Sequence, residues 1–293
     1  SQNGFNLPRR INLKQMILKG SKILVIGGAG FIGSQVVAEL LKANVAEVVI
    51  YDNFIRGKSE NINESLKDPR CTIWPHGGDI RDVDLLNEAM VSMDAVIHLA
   101  AMWLLHCRDY PRTAFHVNIE GTFNVLEACA KNKIKRLVYS SSASVYGDAI
   151  EVPMTEAHPF NNRNFYGATK IAGEAMCRAY HDRYGLDYVG LRYMNVYGPR
   201  QDYGGAYVTV IMKMLDAIDR GESPTVLGDG SEAFDFVAVE VRCSNLFPLL
   251  ILSMVLTGPT PWVGYRSPFL STECWVLHFA SLNPFSPNST PPP

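Results

Sequence analysis

Residues 27–33 read Gly27-Gly28-Ala29-Gly30-Phe31-Ile32-Gly33. An apolar run at residues 22–27 leads into them, and apolar residues at helical spacing follow over residues 31–43. This order is typical of a buried strand, a tight turn and a helix. Glycines in such a turn let a pyrophosphate approach the backbone at the helix N-terminus. The stretch predicts a dinucleotide site, although a glycine turn in an unrelated fold can have the same spacing.

Strand and helix patterns alternate along the chain after this turn. Apolar runs predict strands at residues 47–52, 72–74, 94–100, 136–140 and 187–192. Helical spacing predicts helices at residues 82–90, 118–131 and 166–184. The alternation predicts an α/β fold with a doubly wound, Rossmann-like parallel sheet, whose ligands gather at the carboxyl ends of the strands.

The composition excludes several classes of protein. The chain has 293 residues, 47% of them hydrophobic, and a net charge of -2, which offers no basic field for nucleic acid. The longest apolar run, at residues 246–256, is interrupted and too short to span a bilayer. The six cysteines lack the spacing of a zinc site or a disulfide scaffold. His98 has no matching ligand set, so we expect a packing or hydrogen-bonding residue there. We expect a cytoplasmic protein without metal, nucleic-acid or membrane partners.

Asp52 ends the second predicted strand. A carboxylate there can accept both hydroxyls of an adenosine ribose and repels a 2′-phosphate, which favours NAD as the cofactor. Arg56 and Lys58 close by keep NADP open as an alternative. A solvated acid in a turn, beside Asn53, is the other interpretation of Asp52.

Asp79 and Ile80 follow the third predicted strand. They are placed to meet an adenine ring, by a hydrogen bond and by packing. An Asp79 that caps the next helix, ahead of Arg81 and Asp82, explains the same residues equally well. Both interpretations stay open at this point.

Tyr166 and Lys170 are four positions apart, so on a helix they project from one face. An ammonium group stabilises a phenolate, so Tyr166 can act as acid or base toward a hydroxyl, while Lys170 can also hold a ribose. An ordinary exposed Tyr/Lys pair has the same spacing. The serines at residues 140–142, which end the preceding strand, supply a hydrogen-bonding third member and favour a proton-transfer site.

Together these segments resemble the extended short-chain dehydrogenase/reductase family, in its nucleotide-sugar epimerase and dehydratase branch. The resemblance covers about residues 22–240. Further segments that carry it are Asp52-Asn53, Gly78-Asp79-Ile80, His98-Leu99-Ala100-Ala101, residues 118–124 (Asn-Ile-Glu-Gly-Thr-Phe-Asn), residues 140–147 (Ser-Ser-Ser-Ala-Ser-Val-Tyr-Gly) and residues 192–199 (Arg-Tyr-Met-Asn-Val-Tyr-Gly-Pro).

The resemblance implies roles for the matching residues. Ser142, Tyr166 and Lys170 form the implied catalytic set, and Ser142 and Asn195 the implied substrate-binding set. An Asn that caps a turn is an equally good interpretation of Asn195. A homodimer formed through helices 118–131 and 166–184 is also implied. The implied cofactor-binding set is Gly27, Gly30, Phe31, Ile32, Gly33, Asp52, Asn53, Asp79, Ile80, Leu99, Ala100, Ala101, Asn118, Tyr166 and Lys170.

The resemblance also helps to choose a reaction. Sugar 4,6-dehydratases of this family carry an Asp-Glu pair directly after the catalytic Thr, and this chain has Ala143 and Ser144 there. A 4-epimerase acting on a nucleotide-sugar, through a keto intermediate and without net redox change, is therefore favoured. The alternatives are a catalytically idle NAD-binding sensor or interaction protein, and a simple NAD-dependent alcohol or steroid dehydrogenase.

The chain departs from the family pattern near its C-terminal end. Phe234 stands where an Arg normally precedes Asp-Phe-Val, and the loss of that guanidinium leaves the substrate open. Beyond Glu240 nine prolines and only three charged residues follow, and the resemblance stops. We interpret this tail as the mark of a truncated or alternatively spliced form. The expected division is an extension (1–20), an NAD-binding domain (21–193), a partial, incomplete substrate lobe (194–240) and a divergent apolar tail (241–293).

Overall fold

The computed structural model describes residues 18–151, 154–201, 210–226, 228 and 236–240. Six parallel strands form one sheet in the order β3-β2-β1-β4-β5-β6. They are β1 (Lys22–Ile26), β2 (Glu47–Tyr51), β3 (Cys71–Ile73), β4 (Ala95–His98), β5 (Arg136–Ser142) and β6 (Tyr188–Tyr193). The chain reverses its winding direction at β1, which pairs with both β2 and β4. The doubly wound parallel sheet predicted from the sequence is confirmed.

Seven helices accompany the sheet in the part of the chain that is described. They are α1 (Phe31–Lys42), α2 (Val83–Ala89), α3 (Leu104–Asp109), α4 (Pro111–Ala114), α5 (Gly121–Lys131), α6 (Phe165–Tyr184) and α7 (Val210–Asp219). A π-helical turn, Phe115–Glu120, joins α4 to α5. Single 3-10 turns lie at Ser59–Asn61, Ser65–Lys67 and Ala143–Val145, and a separate parallel pair, β7 (Asn195–Tyr197) with β8 (Phe236–Ala238), follows the main sheet.

The core lies on both faces of the sheet. In β1 the side chains of Ile23 and Val25 face a cluster that includes Val37 and Leu40 of α1. Leu24 and Ile26 face the opposite cluster, to which α2, α5 and α6 contribute. Because side chains alternate along a strand, a continuous apolar run is needed to cover two faces, which is why β1 has no polar residue after Lys22.

Three local features differ from the sequence-based expectation. The helix expected over residues 118–131 belongs to a longer helical run that begins at Pro111, and α3 was not predicted at all. Leu18, expected in an extension, is only 6% exposed and packs in the core beside α1. In the described part of the chain, no helix combines the length and the apolar character that crossing a membrane requires.

Candidate active site

A crevice of about 630 Å³ opens at the carboxyl ends of β1, β2, β4 and β5, beside the reversal point of the sheet. Ligands of doubly wound sheets bind at this place, and the volume is in the range of small-molecule sites. The predicted residues that line it are Gly27, Gly30, Phe31, Ile32, Gly33, Asp52, Asn53, Asp79, Ile80, Leu99, Ala100, Ala101, Ser142, Tyr166, Lys170 and Asn195. Asn118 is the one predicted site residue that does not line it.

The glycine turn joins β1 to α1 and has no room for a side chain at Gly27 or at Gly33. Gly27 has a φ of +82°, and a Cβ there would stand 2.8 Å from the backbone nitrogen of Ala100. A Cβ on Gly33 would stand 2.0 Å from the carbonyl oxygen of Gly27. No side chain of the described residues caps α1. The amides of its first turn therefore face a crevice where an anion can approach them closely.

Asp52 lies directly after β2, and its carboxylate is held by the backbone. Oδ2 accepts a hydrogen bond from the Ala29 amide and Oδ1 accepts one from the Phe54 amide, both at 2.9 Å. A Cβ on Gly78 would stand 2.2 Å from the backbone nitrogen of Asp52, so a glycine is needed where these two segments of the chain touch. Asp52 is 8% exposed. Burial raises the pKa of this carboxyl, which is not the environment of a solvated turn acid.

Asp79 does not cap the helix that follows it. Asp82 is the N-cap residue of α2, and its Oδ1 accepts from the Leu85 amide at 3.1 Å. The Asp79 carboxylate instead pairs with Arg81, with Nη2 and Oδ2 2.5 Å apart, and this pairing lowers the pKa of Asp79. The capping interpretation of Asp79 is therefore wrong. Ile80 beside it is buried, in agreement with a packing role against a ring.

Asn118 lies behind the crevice wall, within the π-helical turn. Its side chain is 3% exposed and is fully engaged with protein groups. The carboxamide oxygen accepts from the Met102 amide at 2.7 Å, and Nδ2 donates to the Met102 carbonyl at 2.9 Å and to Thr169 Oγ1 at 3.1 Å. Asn118 thus ties the loop after β4 to α6. The side-chain N–H groups are thus used within the protein, and the cofactor contact expected of Asn118 stays a prediction.

Lys170 and Tyr166 face the crevice from the first turns of α6. Asn164 caps this helix by accepting from the Gly167 amide at 2.8 Å. The Lys170 ammonium lies 5.7 Å from the centroid of the Tyr166 ring and donates to the carbonyl oxygen of Ser140 at 2.6 Å. Lys170 is 4% exposed, and burial lowers its pKa to about 8. The pair is therefore an inward-facing one, not an exposed helix pair.

Ser142 ends β5 beside this pair. Its Oγ accepts from the Ser144 amide at 3.1 Å and lies 3.2 Å from the Ser144 hydroxyl. These bonds shape the 3-10 turn Ala143–Val145 at the crevice wall. Ala143 and Ser144 both line the crevice, so the wall has no carboxylate at the two positions that follow Ser142.

Glu174 and Arg192 form a buried ion pair that the sequence analysis missed. Glu174 is 1% exposed and accepts two hydrogen bonds from Arg192, at 3.0 Å and 2.8 Å. Its Oε1 also accepts from the Ser141 hydroxyl at 2.5 Å. The network joins α6, β5 and β6 directly below the crevice. Sequence spacing could have indicated Glu174, because it is one helical turn beyond Lys170 and thus lies on the same face of the helix.

His98 is a buried hydrogen-bonding residue, as expected. Its Nε2 lies 3.1 Å from the hydroxyl oxygen of Thr122, and the ring is 2% exposed. Burial, with a contribution from Lys170, lowers the pKa of His98 to about 3. Among the described residues no group of three His, Cys, Asp or Glu side chains is arranged to hold a metal ion.

Asn195 is the first residue of β7. It lines the crevice on the side away from Asp52, together with Arg200 and Gln201. Phe234 and the segment beyond Glu240 lie outside the described residues.

Comparison with known proteins identifies the family of this chain. The family model described as the NAD dependent epimerase/dehydratase family matches residues 23–240. That match covers well over half of the chain. The chain belongs to the NAD-dependent epimerase/dehydratase family. Its cofactor is accordingly NAD, and the glycine cradle, the free helix start and the Asp52 carboxylate all fit that group.

Three similar proteins illustrate the range of the family. A UDP-N-acetylglucosamine 4-epimerase from Methanobrevibacter ruminantium, solved with UDP-N-acetylmuramic acid, is 37% identical over 82% of this chain and 74% of its own, with a TM-score of 0.74. A UDP-glucose 4-epimerase of Halalkalibacterium halodurans is 36% identical over 73% of this chain and 64% of its own. The dTDP-glucose 4,6-dehydratase DesIV from Streptomyces venezuelae, solved with NAD, is 30% identical over 78% and 72%, with a TM-score of 0.71.

Proposed function

We propose that this chain is a nucleotide-sugar 4-epimerase that works through a keto-sugar intermediate. The observation that carries the proposal is the shared crevice of two sets of groups. Tyr166, Lys170 and Ser142 face the same space as the glycine turn and Asp52. The relatives that are 4-epimerases act on UDP-sugars by name, which supports a sugar nucleotide as the substrate class.

The cofactor half of the crevice would be used as follows. The chemistry that NAD would supply, when bound, is the uptake of a hydride from the sugar and its return. The amides at the start of α1 would hold the pyrophosphate, and the Asp52 carboxylate would accept hydrogen bonds from the hydroxyls of the adenosine ribose. Asp79 and Ile80 would bind the adenine, by a hydrogen bond and by packing. Asn53, Leu99, Ala100 and Ala101 complete the floor.

Proton transfer would be carried out by residues of α6 and of the end of β5. Tyr166 acts as a phenolate that Lys170 stabilises; it takes the proton from the sugar hydroxyl, is a neutral phenol while the keto sugar exists, and then gives the proton back. Ser142 holds the reacting oxygen by a hydrogen bond. Re-reduction of the keto sugar on its other face then inverts the carbon. Asn118 fixes the loop after β4 against α6.

Epimerisation is favoured over 4,6-dehydration by the wall next to Ser142. Water elimination needs a further acid and a further base. Ala143 and Ser144 stand where those groups would be placed, and neither side chain can exchange a proton at neutral pH.

Product analysis tests this proposal. The full chain, loaded with NAD, is incubated with UDP-glucose, UDP-N-acetylglucosamine, UDP-glucuronic acid and dTDP-glucose. We expect formation of the 4-epimer of one or more of these sugars, with no net NADH. Net NADH would indicate a simple dehydrogenase, a 4-keto-6-deoxy product would indicate a dehydratase, and NAD binding without any turnover would indicate an idle NAD-binding protein.

We further propose a cytoplasmic homodimer. Support for the dimer comes from exposed aromatic rings on the paired helices α5 and α6, among them Phe123 at 40% and Tyr184 at 57% exposure. We also propose that residues 21–193 form the NAD-binding domain and residues 194–240 part of the substrate lobe. Light scattering of the purified chain at twice the monomer mass supports the dimer.

A further inference from the structure

Arg200 brings a positive charge to the crevice at the end formed by β7 and the residues that follow it. It is half-buried and lines the same space as Asn195 and Gln201. Its Nη1 atom is shielded from solvent, and no group of the described residues accepts a hydrogen bond from it. A guanidinium nitrogen withdrawn from water without an acceptor is costly. The side chain is therefore suited to an anionic ligand.

Other cations of the crevice are engaged with protein groups. Arg81 is paired with the carboxylate of Asp79 at 2.5 Å, and the Arg56 guanidinium lies 4.6 Å from the centroid of the Trp103 ring. Both come from loops beside the adenosine end. Lys170, at the centre, donates to a carbonyl of β5. A ligand anion at the β7 end meets the guanidinium of residue 200 instead.

The backbone around Arg200 fixes where its side chain starts. Arg200 has a φ of 72°, an uncommon conformation for a residue other than glycine. Two residues earlier, Gly198 has a φ of +143°, and a Cβ there would stand 2.7 Å from Val239 Cγ1. The turn after β7 thus packs closely against Val239, which follows β8. The Arg200 side chain therefore starts from a backbone position that this contact fixes.

We propose that Arg200 binds the diphosphate of the nucleotide-sugar. This inference rests on the proposed function, because it names the group that holds the anionic part of that substrate. A guanidinium presents parallel N–H donors that match two phosphate oxygens, which a neutral side chain cannot do. Arg200 thereby supplies a charge in a chain that has Phe234 where its family pattern has a guanidinium.

Titration calorimetry on the NAD-loaded full chain tests this role, with UDP and uridine as the two probes. Arg200→Gln is expected to weaken UDP binding by roughly 30-fold, the loss of a charge-assisted hydrogen bond, and uridine binding by less than about twofold. Arg200→Lys should recover part of the UDP affinity. Arg220→Gln, which removes the same charge from an exposed position just after α7, is the matched control and should bind UDP as the unchanged chain does.

Two results would overturn the inference while leaving the proposed function standing. One is an Arg200→Gln variant that binds UDP as tightly as the unchanged chain. The other is an equal weakening of UDP and uridine binding, which would place the effect on the nucleoside or on the fold. If the unchanged NAD-loaded chain binds no UDP at all, the proposed substrate class fails, and the inference fails with it.

Discussion

The ammonium of Lys170 lies 2.6 Å from the carbonyl oxygen of Ser140, across 30 positions of sequence. This bond joins Lys170, in the second turn of α6, to the last part of β5. Because Ser142 follows two residues later, the bond sets the distance between the phenol side and the hydroxyl side of the crevice. Burial at the same place lowers the pKa of Lys170 to about 8.

Replacement of Lys170 should change the pH profile of turnover. The ammonium is lost as the pH rises through about 8, so kcat/KM of the unchanged enzyme is expected to fall above that pH. Lys170→Met should lower kcat/KM by roughly 100-fold, in the range of acid–base contributions, and should lack the falling limb. Initial rates from pH 6 to 10 measure this. A Lys170→Met variant with the same limb would show that another group titrates.

Asp52 should decide the cofactor. Asp52→Asn keeps an oxygen acceptor for the Ala29 amide but removes the charge. We expect NAD affinity to fall by roughly tenfold and NADP affinity to rise, because the repulsion of a 2′-phosphate is gone. Fluorescence titration with both cofactors measures it. The exposed Asp182→Asn is the control, and an unchanged NAD/NADP preference in Asp52→Asn would contradict the assignment.

The same carboxyl makes NAD binding pH-dependent. Burial raises the pKa of Asp52 above that of an ordinary Asp. NAD affinity of the unchanged chain should therefore decrease as the pH falls through the acidic range, where the carboxylate becomes protonated. The Asp52→Asn variant should have a flatter profile over the same range. Equal slopes for the two proteins would speak against ribose binding by this carboxylate.

The buried pair of Glu174 and Arg192 should couple strongly in stability. Glu174→Leu leaves the Arg192 guanidinium in the interior without its carboxylate partner. This change should lower the free energy of unfolding by about 3–5 kcal/mol. The double variant Glu174→Leu/Arg192→Met removes both charges and should cost less than either single change. Urea denaturation of the four proteins measures the coupling. Costs that simply add would mean that the two side chains act independently.

His98 should make the protein sensitive to acid. Its pKa is lowered from 6.5 to about 3 by burial, so the unfolded chain binds a proton between these values and the native protein does not. The contribution of neutral His98 to the free energy of unfolding is fully present above pH 6.5 and is lost as the pH falls. Between pH 7 and pH 5 this loss amounts to about 2 kcal/mol. His98→Gln should lose less over that interval, measured by urea denaturation. The exposed His76→Gln should behave as the unchanged chain, and equal losses in all three would contradict this origin.

The sheet could be predicted because its strands are buried on both faces. A run such as Ile23 to Ile26 has no periodicity to misread, and the glycine turn after it fixes the order of strand and helix. The short helix α3 escaped prediction, since no side chain of the described residues caps it and its first turn has no acidic residue. Pro111 at the start of α4 was a signal that sequence reasoning could have used.

The site was predictable where its residues are local and less so where they are distant. Tyr166 and Lys170 are one turn apart on a single helix, so spacing alone places them on one face. Glu174 on α6 and Arg192 on β6 are 18 positions apart, and only the packing of α6 on the sheet brings them together. Asn118 lies behind the crevice wall, which its sequence position did not indicate, because a π-helical turn changes which face a side chain occupies.

The phenol of Tyr166 is the most direct test of the whole account. Tyr166→Phe removes one oxygen and keeps the ring, and Tyr184→Phe makes the same change at an exposed position near the end of the same helix. With a converted UDP-sugar, Tyr166→Phe is expected to reduce kcat by roughly 100-fold or more, while NAD affinity stays within about threefold, since the cofactor is held chiefly by other groups. Tyr184→Phe should leave both values unchanged. Full turnover by Tyr166→Phe would contradict a proton transfer by this residue, and with it the active site proposed for this crevice.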